Sequence, residues 1–94
     1  MPDMFVNDDR PNIAIKTRAT ADEIQAELQE RIARLIARDE KFSGCTAPRP
    51  HLTRATRAGA PNWTVHGFPG LPSGGYGTLV KIVDRARSEY ELVD

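Results

Sequence analysis

A chain of 94 residues can bury one modest core and little more, so the expectation is a single domain. Thirteen Lys and Arg balance thirteen Asp and Glu, and a formal net charge of zero gives no general attraction for polyanions. The one cysteine, Cys45, excludes an internal disulfide and fits a reducing compartment.

Residues 1–11, MPDMFVNDDRP, have no period and read as a loose leader before a domain spanning 12–94. The three aspartates and the absence of a long apolar run argue against a signal peptide or a membrane span there, so a cytoplasmic protein with no membrane partner is expected. From Asn12 to Arg18 the chain alternates. Ile13, Ile15 and Thr17 fall on one side and Ala14, Lys16 and Arg18 on the other, the pattern of a short strand.

Thr20 to Asp39 organises the rest. Ile24, Leu28, Ile32, Leu35 and Ile36 make one apolar stripe at helical spacing. Thr20 followed three residues later by Glu23 is a capping-box signature. Asp22 and Glu23 complement the positive end of the helix dipole, and Arg38 and Lys41 the negative end. Glu27 with Arg31, and Glu30 with Arg34, are spaced for i,i+4 ion pairs on a solvated face. Phe42-Ser43-Gly44 reads as the exit, with Gly44 as a left-handed stop.

Thr46, Leu52, Thr53 and Thr56 suit a strand between Cys45 and Arg57, but Pro48 and Pro50 restrict it to an irregular edge. Ala58-Gly59-Ala60-Pro61 marks a turn. Asn62 to Phe68 follows as the clearest strand, with Trp63 and Val65 on the core side and Thr64, His66 and Phe68 facing out. After the loop 69–75, Leu79, Val83, Ala86 and Tyr90 form a second helical stripe. Ser73 or Thr78 is positioned to cap it, and Leu92 and Val93 extend its packing as the helix frays. The order strand, helix, strand, strand, helix predicts an α+β fold: a small, largely antiparallel sheet with both helices on one face. In that packing Trp63 and Val65 meet Leu28, Ile32, Leu79 and Val83.

The soft ligands Cys45, His51 and His66 are separated by six and fifteen residues, which matches no zinc spacing, so no metal and no cofactor is expected. Ser73-Gly74-Gly75-Tyr76-Gly77 lacks the lysine of a P-loop and the spacing of a dinucleotide fingerprint. No carboxylate pair falls at a spacing suited to acid–base work, and no enzyme motif is present. Charge is unevenly placed. Between Phe42 and Val83 there is no acid, while Arg49, Arg54, Arg57 and Lys81 give +4. Residues 1–41 hold nine acids against seven bases.

These features lead to a non-catalytic protein that binds a partner or a second copy of itself. The expected contact surface is the sheet face and basic span, with His66, Phe68, Arg54, Arg57 and Arg49 as candidate interface residues. The alternative is weak nucleic-acid binding, since basic residues interleaved with aromatics on a sheet can hold single strands. A glycine-entered second helix also makes the element order similar to double-stranded-RNA-binding domains, although only Lys81 stands where those domains carry several lysines. A small enzyme of unrecognised type is the third class.

Gly44-Cys45-Thr46, Asn62-Trp63-Thr64-Val65 and Tyr90-Glu91-Leu92 together resemble a loose group of small bacterial proteins of unknown function. That group shares a G-C strand, an N-W strand and a closing helix ending Y-x-L. The likeness spans roughly residues 24 to 92. It implies the same element order and brings no activity, cofactor or site.

Overall fold

The computed structural model describes residues 16–93. The leader 1–11 and the first part of the expected strand, residues 12–15, lie outside the described residues. The fold is mixed α+β. In order come β1 (Thr17–Ala19), α1 (Ala21–Arg38), a 3₁₀ turn (Glu40–Phe42), β2 (His51–Leu52), β3 (Trp63–Thr64), α2 (Tyr76–Glu89) and β4 (Tyr90–Leu92).

Helix α1 is the element the sequence specifies most fully. Glu23 donates its backbone N–H to Thr20 Oγ1 at 3.2 Å, and Glu23 Oε1 accepts from the Thr20 N–H at 2.9 Å, which closes the capping box. Ile24, Leu28, Ile32 and Leu35 are buried and Ile36 packs beside them. The helix ends at Arg38 with Asp39 as its C-cap, as the expected limit at Asp39 requires. Asp39 is already extended, at φ −146°, with its N–H on the Leu35 carbonyl, and its side chain starts the 3₁₀ turn by accepting from the Lys41 N–H. Gly44 is therefore not a left-handed stop, and it has no positive φ.

Helix α2 buries Leu79, Val83 and Ala86 as the stripe requires, but neither Ser73 nor Thr78 caps it. Gly75 holds the cap position without a side-chain bond. The helix does not fray through Leu92. It ends at Glu89, and Tyr90–Leu92 turns into a strand whose Leu92 is buried. That strand runs parallel to β1, pairing Thr17 with Tyr90, Arg18 with Glu91 and Ala19 with Leu92. The other pair, β2 with β3, is antiparallel. The expected single, largely antiparallel sheet is thus corrected to two strand pairs, one of them parallel.

The second pair is short for a definite reason. Its register sets His51 opposite Thr64 and Leu52 opposite Trp63. Continuing that register would set Pro50 opposite Val65 and Pro48 opposite Gly67, and proline has no N–H for a ladder. Residues 46–50 are instead held from outside the sheet. Gln29 Oε1 accepts from the Ala47 N–H at 2.9 Å, and Gln25 Nε2 donates to the Ala47 carbonyl at 3.1 Å. Two glutamines one helical turn apart thereby replace a neighbouring strand, and Pro48 and Pro50 are buried.

Trp63, with no exposed surface, lies in one cluster with Leu28, Ile32, Leu79 and Val83, and Val65 packs against it. The residues expected to meet across the core thus share one cluster. Arg31 ties the two helices together, bonding Glu27 at 2.8 Å and Glu89 at 2.5 Å and lying 5.9 Å from the Tyr90 ring centre. Burial disfavours the Arg31 charge, but hydrogen bonds and attraction from Glu89 and Glu27 more than reverse this and raise its pKa. Glu30 and Arg34, spaced alike, form no ion pair among the described residues. None of the described helices is long and apolar enough to cross a membrane.

Candidate functional site

The parallel pair buries Ala19 and Leu92 on one face and presents Arg18 and Glu91 on the other. Alternation along the strands requires this division. The neighbouring wall is the loop leading into β3. It is pinned at its ends by Thr53 N–H to the Asn62 carbonyl at 2.7 Å and within by Ala60 N–H to the Arg57 carbonyl at 3.0 Å, which closes the expected turn. Between loop and strands lies a groove of about 410 Å³ lined by Lys16, Arg18, Ala55, Arg57, Ala58, Gly59, Ala60, Asn62 and Glu91.

Three cations and one carboxylate line this groove, and no aromatic does. Lys16 is partly fixed, donating through Nζ to the Arg87 carbonyl at 3.2 Å. Arg87 in turn donates through Nε to the Trp63 carbonyl at 2.7 Å, so one wall is anchored through α2 to the core. Asn62 is fully engaged with β4. It donates through Nδ2 to the Leu92 carbonyl and accepts at Oδ1 from the Leu92 N–H, both at 2.9 Å. The groove floor is therefore preorganised, while Arg18 and Arg57 are exposed side chains.

The five candidate interface residues do not form one patch. Arg57 lines the groove, and Arg54 is exposed on the same loop without lining it. Arg49 is drawn away to α1, where it meets Asp22 at 2.5 Å. Its positive charge is thus offset locally, whereas among the described residues neither Arg54 nor Arg57 has a carboxylate within 4.0 Å. His66 is exposed and lies beside His51, with ring centres 4.6 Å apart. Phe68 is not the exposed aromatic that alternation predicts. It is half-buried against the core and meets Tyr76 edge-on at 6.0 Å, because the chain leaves strand geometry after Thr64.

The polar and charged groove residues absent from the sequence-derived set are Lys16, Arg18, Asn62 and Glu91. The outward placement of Lys16 and Arg18 was visible in the alternation of the first strand. Their juxtaposition with Arg57 depends on β1 pairing with β4, and no local signal carries that. Cys45 is buried, and burial pushes its thiol pKa up, with the Thr46 backbone opposing weakly. A thiol held protonated is a poor nucleophile, so Cys45 serves the core. Among the described residues, no three His, Cys, Asp or Glu side chains converge to hold a metal ion. No family model, curated protein or solved structure matches the chain.

Proposed function

We propose that this protein acts without catalysis, as a binding module that holds an acidic segment of a partner protein against the Lys16–Arg18–Arg57 groove. The observation that carries the reading is the composition of that groove, three cations against Glu91 on a scaffold fixed by Asn62 and Arg87. Carboxylates of an extended acidic segment match the guanidinium groups of Arg18 and Arg57 in charge and in hydrogen-bonding geometry. Such contacts chiefly steer encounter and set specificity. Nucleic acid fits less well. A single strand gains much of its affinity from bases stacking on aromatic side chains, and none lines the groove.

The test is a fluorescence titration with a Glu/Asp-rich peptide and, in parallel, a single-stranded oligonucleotide of equal charge. The reading predicts that the peptide binds, that affinity falls as salt rises, and that Arg57→Glu weakens it about tenfold or more. Preferential binding of the oligonucleotide, or equal peptide affinity in wild type and Arg57→Glu, overturns it.

Self-association is a second reading, favoured by one observation. Leu52, on the β2–β3 pair that also carries exposed His51, is 60 % exposed. A second copy laid along the Leu52 side of that pair would cover it. Sedimentation of the wild type across a wide concentration range tests it. A monomer throughout removes it, and a dimer dispersed by Leu52→Glu supports it.

A further inference from the structure

The histidine pair has a geometry that neither the core nor the groove requires. His51 lies on β2, and His66 follows the end of β3 by two residues. His51 is paired with Thr64, and the chain leaving β3 brings the His66 ring beside the His51 ring. Both residues are exposed. Their ring centres lie 4.6 Å apart with the planes at 81°.

With a metal–nitrogen bond of about 2.0–2.1 Å an imidazole centre lies roughly 3.2 Å from the ion, so two imidazoles sharing one ion have ring centres roughly 4.5–5.2 Å apart for bond angles from about 90° to tetrahedral. The observed separation falls in that range. Both residues are exposed, so the rings are not locked in the edge-to-face arrangement by surrounding side chains. The second side-chain torsion is broad for histidine, and exposed rings turn freely. Pairing of β2 with β3 brings the two segments together, which is why a sequence separation of fifteen conceals the histidine pair.

We infer that His51 and His66 form a two-imidazole chelate for a borderline divalent transition-metal ion of the zinc and nickel class. Imidazole nitrogen prefers such ions, and carboxylate- and water-loving Mg²⁺ and Ca²⁺ are excluded by ligand type. Two positions on the ion remain for water or for a ligand from another molecule.

Zn²⁺ and Ni²⁺ titrations of the full chain, followed by calorimetry and by the histidine ring proton resonances, test this inference. Wild type should bind either ion with both histidine ring systems shifting together. Mg²⁺ at the same concentrations should leave them unmoved. His51→Gln and His66→Gln should each weaken Zn²⁺ binding about tenfold or more, since one imidazole alone has no chelate partner. The ring resonances of the unmutated protein report independently of any effect of substitution on folding. Failure of millimolar Zn²⁺ to move both rings, or equal affinity in wild type and His51→Gln, overturns the inference and leaves an edge-to-face packing pair.

Discussion

Asn62 uses both ends of its amide on one residue, giving Nδ2 to the Leu92 carbonyl and taking the Leu92 N–H at Oδ1, each at 2.9 Å. This is how the two strand pairs become one framework. Strand β4 bonds to β1 along one edge, and Val93 N–H continues the contact to the Ala19 carbonyl. Along its other edge the Leu92 groups go to Asn62, and the Tyr90 carbonyl accepts from Trp63 Nε1 at 3.0 Å. Side chains of residues 62 and 63 thus stand in for a third strand.

Replacing Asn62 by Ala therefore leaves an N–H and a carbonyl of Leu92 without partners. The expected loss is about 2–4 kcal/mol, from roughly 1–3 kcal/mol per unsatisfied buried group discounted for partial burial. Urea denaturation measures it. A midpoint equal to wild type would mean that water replaces the amide at no cost.

Gly70 and Gly59 separate space from backbone conformation. Both have positive φ, 76° and 84°. A Cβ on Gly70 would lie 1.8 Å from the Gly44 carbonyl oxygen, whereas one on Gly59 meets nothing within 4 Å. Gly59→Ala should cost only the left-handed conformation, about 1–2 kcal/mol. Gly70→Ala should cost that plus about 1–3 kcal/mol of forced separation between two backbone segments. Thermal melts that rank the two variants equally would contradict the close approach.

The sequence disclosed the elements that carry their own periodicity and caps. The α1 stripe and capping box, the α2 stripe through Ala86 and the inward Trp63 all follow from residues within a few positions of one another. What stayed hidden depends on distant partners. Tyr90 continues the helical spacing of Leu79, Val83 and Ala86, so the stripe alone could not reveal that strand pairing with Thr17 takes over. Residues 46–50 carry no sign that Gln25 and Gln29 will satisfy Ala47. The groove needs Lys16 and Arg18 beside Arg57, an adjacency created by the parallel pair and the loop it faces. The acid-free span singles out Arg57, which lines the groove, and equally Arg49, which pairs with Asp22.

Cys45 yields a pH prediction. Burial raises its thiol pKa in the folded state, so above the ordinary thiol pKa the unfolded chain loses a proton that the folded chain keeps. The unfolded state then binds fewer protons, and stability falls with rising pH. The contribution is fully present below about pH 8.5, the unperturbed thiol value, and declines above it until the folded thiol also ionises. Stability curves of wild type and Cys45→Ala should diverge in slope above that pH. Parallel curves would show that the thiol titrates alike in both states.

The central claim, an acidic-segment site at the groove, is tested most directly by mapping amide shifts in isotope-labelled protein titrated with a Glu/Asp-rich peptide. The predicted result is a perturbed set confined to Lys16, Arg18, residues 55–60, Asn62 and Glu91, fading as salt is added and absent in Arg57→Glu. Shifts clustered instead around Tyr76 and the start of α2, or no shifts at low salt, would contradict it.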